Sequence, residues 1–96
     1  MKIRNYLHKP LKRLHEENNA RGLPPEAVEK LRKMLTFLAA MNSVEELQQF
    51  PGWRAHPLTG DRKGTWSLMV TRNWRVTFTL DDKAQEVCDI DYEDYH

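Results

Sequence analysis

The chain is poor in cysteine and glycine and has no long apolar run, and each shortage removes a class of function. One cysteine in 96 residues leaves no internal disulfide and fits a reducing, cytoplasmic setting. Cys88 stands in an alternating apolar run, where a packed thiol is expected rather than a nucleophile. No stretch reaches the ~18 apolar residues of a membrane helix. The opening Met1-Lys2-Ile3-Arg4-Asn5-Tyr6 lacks the apolar centre of a secretion signal. Among the four glycines, Gly60 and Gly64 flank Asp61-Arg62-Lys63 without the Lys-Ser/Thr ending of a phosphate-cradling loop, so they are expected to shape a loop. His8 and His15 lie two helical turns apart, ~10.5 Å along the axis, too far to share one ion. No Cys or His pair has zinc spacing. Neither a metal nor a cofactor is expected.

A chain of 96 residues that is 40% hydrophobic fits one small domain with a modest core. Its net charge of +1 hides an asymmetry: residues 1–63 carry twelve Lys/Arg against seven Asp/Glu, and residues 64–96 three against seven. A basic half can face phosphate even on a near-neutral chain, because local potential governs encounter. Ordinary solvated helix faces are the plainer alternative. Lys30 and Lys33 are the helix-borne candidates for such contact.

Leu7, Leu11 and Leu14 are spaced for a short amphipathic helix over about residues 9–19, ending near Arg21-Gly22. After Pro24-Pro25, Val28, Leu31, Leu35 and Leu38 form the apolar stripe of a second helix, with Glu26/Lys30 and Glu29/Lys33 pairs on its wet side. Ser43 and Glu46 make a capping box for a brief third helix that Pro51-Gly52 stops. The period then changes to two: Trp66, Leu68 and Val70; Val76, Phe78 and Leu80; Cys88, Ile90 and Tyr92. Turns are expected at Arg72-Asn73 and Asp81-Asp82-Lys83. The fold class is therefore α+β, a small antiparallel sheet packed by two N-terminal helices, with residues 2–6 as a possible edge strand.

This alternation puts Arg75 and Thr77 on the sheet face turned away from the core, beside Asp89 and Asp91. An arginine there can meet an anion; the alternative is a cross-strand ion pair with Asp89 or Asp91. The acid–base inventory is then His56, Arg75, Asp94, Tyr95 and His96, with Arg62, Lys63 and Arg72 as nearby cations. RNA cleavage suits this set. Attack of a 2′-hydroxyl on phosphorus needs one group to take its proton, another to protonate the leaving 5′-oxygen, and a fixed cation for the phosphoryl charge. Taken singly, a histidine before proline is usually a loop residue and a tryptophan usually core.

The ordered segments His56-Pro57-Leu58-Thr59-Gly60, then Gly64 to Phe78 with Asn73-Trp74-Arg75, then Asp91 to His96 resemble the HigB toxins of the RelE superfamily. That resemblance implies a RelE-like, microbial-RNase-type fold and a ribosome-dependent endoribonuclease that cleaves messenger RNA without a metal. It implies His56, Asp94, Tyr95 and His96 as the active-site group and Arg75 as the holder of the scissile phosphate. It also implies a HigA-like helix-turn-helix antitoxin as partner. Many relatives have lysine where this chain has Thr59; Arg62, Lys63 or Arg72 would supply the charge. The competing reading is a non-catalytic RNA- or partner-binding module on the same fold, in which the histidines carry no activity.

Overall fold

The structure, a computed structural model, describes residues 1–95. Its elements are β1 (Lys2–Ile3), α1 (Lys9–Glu17), α2 (Val28–Ala40), β2 (His56–Pro57), β3 (Thr65–Met69), β4 (Trp74–Asp81) and β5 (Glu86–Asp94). The five strands form one sheet in the order β1-β5-β4-β3-β2. β3, β4 and β5 make the expected antiparallel meander, and β2 adds a further antiparallel strand beside β3. β1 supplies the edge strand but runs parallel to β5, a pairing that no tight turn can make and that the long intervening chain permits. His56–Pro57, expected as loop, is a two-residue strand held by β3.

α1 tolerates Pro10 because the first turn has no use for its N–H. It buries Leu11 and Leu14, while Leu7 precedes it and is exposed. It ends earlier than the spacing indicates, at Glu17: Asn18 turns left-handed (φ 54°) and its N–H bonds the Arg13 carbonyl, a conformation asparagine adopts at little cost. In α2 the buried stripe is Leu31, Met34, Leu35 and Leu38, with Val28 only half-buried. Glu29 pairs with Arg32 at 3.7 Å rather than with Lys33, whose ammonium lies 5.6 Å over the Phe50 ring. The Met1 amino group bonds the carbonyls of Leu38 and Ala39 at 3.4 Å, a cation against the negative end of the helix. The third helix, Val44–Gln49, is a 3₁₀ helix with its capping box formed, the Glu46 carboxylate accepting from the Ser43 N–H at 2.9 Å.

The sheet departs from its sequence pattern at one residue. Thr79 pairs with Cys88 but Thr77 with Asp91, so β5 carries an extra residue. That residue is Asp89, left-handed at φ 54°. Asn5 fastens it twice: its Nδ2 donates to Asp89 Oδ1 at 2.8 Å, and the Asp89 N–H donates to Asn5 Oδ1 at 3.0 Å. A bulge reverses the side-chain phase. Val87, not Cys88, therefore joins Ile90 and Tyr92 in the core, and Cys88 lies beside Thr79 on the other face, still buried.

The core lies between that sheet face and the helices, with Phe78, Leu68, Val76, Ile90, Leu35 and Leu38 fully enclosed. At its margin the rings of His8 and Tyr92 stand 5.6 Å apart. His8 Nε2 and Tyr92 Oη are buried without a hydrogen-bond partner among the described residues. Burial pushes the Tyr92 phenol up and the His8 imidazole down. Because a buried, unbonded hydroxyl is costly, Tyr92→Phe is expected to stabilise the protein by about 1 kcal/mol. The check is a higher urea midpoint at unchanged slope; a lower midpoint would mean that the hydroxyl is bonded, for instance to water.

Candidate active site

On the sheet face opposite the helices, a pocket of about 180 Å³ is lined by Leu58, Arg62, Ser67, Arg75, Thr77, Glu93, Asp94 and Tyr95. Its floor is small and polar because β3 and β4 present Ser67 and Thr77 side by side. Two wider depressions lie elsewhere. One, about 630 Å³, holds Arg4, but that guanidinium is engaged with Asp81 and with Glu86 at 2.7 Å. The other, about 470 Å³, is largely apolar and borders Phe37 and Phe50 on α2's outer side. Only the small pocket joins two guanidiniums, two carboxylates and a phenol among the described residues.

Arg75 is anchored through one nitrogen. Its Nη1 donates to the carbonyls of Thr71 at 2.8 Å and of Arg72 and Trp74 at 3.2 Å. The guanidinium carbon sits 4.1 Å from the centre of the Tyr95 ring, an attraction between cation and ring face. Tyr95 is itself placed by its N–H, which bonds the Asn73 carbonyl at 2.6 Å. No ion pair forms between Arg75 and Asp89 or Asp91; the residue opposite Arg75 is Glu93. Arg75 is thus fixed by turn carbonyls and a ring, leaving its charge unneutralised by a direct carboxylate contact among the described residues.

Arg62 arrives from the 3₁₀ turn Gly60–Arg62. Its two terminal nitrogens grip the two oxygens of Glu93 at 2.9 and 2.6 Å, and the Thr77 hydroxyl donates to the same carboxylate. Arg62, with help from Thr77, holds the Glu93 carboxyl below the usual carboxylate range against the opposing effect of burial. The pair's contribution to stability is therefore complete above that range and is lost only as pH falls through Glu93's lowered titration. With Arg62 half-exposed, that contribution is at most about 1 kcal/mol.

His56 stands on β2 opposite Ser67, so both lie on the pocket's side of the sheet. Its Nδ1 is 2.7 Å from the Arg54 carbonyl. A carbonyl only accepts, so Nδ1 carries the proton and Nε2 of the neutral ring is the proton acceptor. Arg62, Arg75, Asp94 and Tyr95 thus converge on one pocket, with His56 on the neighbouring strand. Lys63 follows the Arg62 turn, Arg72 lies in the β3–β4 turn, and neither lines the pocket. Lys30 and Lys33 sit on α2, in the helical layer on the opposite face of the sheet. His96 lies outside the described residues. Glu93, Thr77, Ser67 and Leu58 also line the pocket, and sequence reasoning names none of them as site residues. Among the described residues, no three His, Cys, Asp or Glu side chains are grouped to hold a metal ion, and no helix is long and apolar enough to cross a membrane.

Comparison with known proteins agrees with this fold and extends it. The fold is similar to that of YafQ from E. coli, with a TM-score of 0.63 and 18% identity, covering 98% of this chain and 93% of that one. It is also similar to a YoeB/ParE toxin from Agrobacterium tumefaciens, with a TM-score of 0.53 and 21% identity, covering 100% and 99% of the two chains. In sequence the chain is 35% identical over 94 residues to the endoribonuclease HigB of Proteus vulgaris, covering 98% of this chain and 99% of that one. Residues 4–96 match the model of the HigB-like RelE-like toxins, and the chain belongs to that family of type II toxin–antitoxin toxins.

Proposed function

We propose that this toxin is an endoribonuclease that cuts messenger RNA on the ribosome by metal-independent transfer of protons, and so stops translation. The observation that carries the reading is the anchored guanidinium of Arg75, held over Tyr95 in a pocket it shares with Asp94. In the proposed step the 2′-oxygen of one nucleotide attacks the adjacent phosphorus while its proton passes to a base. The bond from phosphorus to the 5′-oxygen breaks, and an acid protonates that oxygen. The products are a 2′,3′-cyclic phosphate and a free 5′-hydroxyl. His56 and His96 are the proposed proton carriers, Asp94 and Tyr95 position and assist them, and Arg75 offsets charge on the phosphoryl oxygens.

The small pocket has little surface to orient an RNA strand. Positioning can supply roughly 7–11 kcal/mol of a barrier, and a ribosome that holds the message would provide it. Lys30, Lys33 and Lys63, from the basic first two-thirds of the chain, and Arg72 are the proposed contacts to RNA phosphate outside the pocket. The partner that restrains the toxin is proposed to be a HigA-like helix-turn-helix antitoxin.

The test is cleavage of message on programmed ribosomes beside naked message, with ends mapped by primer extension. Cuts are expected on the ribosome alone. His56→Ala and His96→Gln are each expected to slow cutting by roughly 10²–10⁴-fold, with circular dichroism and ribosome binding unchanged. Folded, ribosome-binding protein that makes no cuts would favour the binding-module reading.

A further inference from the structure

The role of Glu93 deepens the ribonuclease reading and rests on it. The Arg62–Glu93 pair and Thr77 line two hollows at once: the active pocket and a second one of about 150 Å³ that also touches Thr65 and Thr79. The ion pair is therefore the partition between them, a bar across the outer sheet face. It joins distant parts of the fold. Arg62 belongs to the segment between β2 and β3, and Glu93 to β5, two strands further along the sheet.

That segment needs a tether. Within it Gly60 and Gly64, on either side of Asp61-Arg62-Lys63, are both left-handed, at φ 67° and 97°, where glycine is pliant. Its backbone bonds are local or reach Thr65: Leu58 N–H to Thr65, Arg62 N–H to Thr59 and Lys63 N–H to Gly60. The reach to β5 is made by the side chains of Arg62 and Glu93.

Glu93 is badly suited to take a proton itself. Both oxygens are engaged by the Arg62 fork, one also by Thr77, and a carboxylate so satisfied gives little driving force for proton abstraction. The same engagement makes it a good clamp, since a bidentate pair fixes the plane of the guanidinium. We propose that Glu93, backed by Thr77, is a positioning residue that fixes Arg62 as the second cationic wall of the pocket, so that Arg62 and Arg75 hold the reacting phosphodiester between them.

The test is a double-mutant cycle on programmed ribosomes with kcat and KM measured separately. Glu93→Gln removes the charge and loosens the clamp while leaving the pocket one charge more positive. It is expected to lower kcat about 10–100-fold, as misplacement of a phosphate ligand does, without raising KM. In an Arg62→Gln background the same substitution is expected to change kcat by less than about twofold, because its route of action is gone. Thr77→Val, close in shape, is expected to give a smaller loss that also vanishes without Arg62, and it serves as the second variant should Glu93→Gln melt early. An unchanged kcat in both variants, or an equal loss with and without Arg62, overturns the proposal while leaving the nuclease reading intact. Wild-type protein that leaves ribosome-bound message uncut overturns both.

Discussion

Arg75→Ala is expected to reduce cleavage on the ribosome by roughly 10²–10³-fold, the usual loss when one fixed donor to a developing anion is removed. The fold should survive. Arg75 holds the carbonyls of Thr71 and Arg72 in the β3–β4 turn, that of Trp74 at the start of β4, and one ring face, contacts at the turn end of the strand rather than in the core. Losing a partly exposed cation–ring contact costs about 0.5–1 kcal/mol. Arg75→Lys is the informative companion. It keeps the charge, but an ammonium cannot present a planar fork whose one end is tied down while its face lies on Tyr95, so it should restore only part of the rate. Single-turnover cutting, with thermal melts as the control for folding, decides the matter. Activity of Arg75→Ala within threefold of wild type would remove Arg75 from the chemistry.

The largest expected loss of stability is for Phe78→Ala, about 3–5 kcal/mol. Phe78 is fully buried on the central strand β4 and lies between the two rungs, at Thr77 and Thr79, that bracket the bulge. Neighbouring strands hold the backbone on both sides, so the void cannot close by collapse. A domain of this size has only about 5–15 kcal/mol to lose, and the variant should melt far below wild type. Urea unfolding measures it. A loss under about 1.5 kcal/mol would mean that the core around Phe78 is loose enough to refill.

Much of the fold can be read from the chain because its driving force is periodic. Leu31, Leu35 and Leu38 mark α2, the two-residue alternation marks β3 and β4, and the turns fall at Arg72-Asn73 as expected and at residues 82–85, one residue later than the expected start at Asp81. The site is half legible for the same reason. Arg75 had to face away from the core once Val76 and Phe78 faced it. What could not be read is the bulge. Thr79 pairs with Cys88, so a regular ladder would set Arg75 opposite Tyr92. The extra residue at Asp89 sets it opposite Glu93 instead, and so turns Val87 inward and Cys88 outward. The bulge is fastened by a long-range pair of hydrogen bonds between Asn5 and Asp89, which no local pattern encodes. Glu93 escaped notice for the same reason: its partner Arg62 is 31 residues away. The two-residue strand at His56 carries no periodicity to detect.

The two borders of the sheet have a consequence for how other chains can approach this protein. β1 and β2 are each two residues long, and Pro57 in β2 has no N–H to offer. An extended foreign strand would find almost no ladder of free donors and acceptors to extend, which is how natural sheets avoid edge-to-edge aggregation. The long strands β4 and β5 are shielded in the interior of the sheet. A binding partner gains little by adding a strand here and must take its grip from side chains, on the helical layer or across the open face.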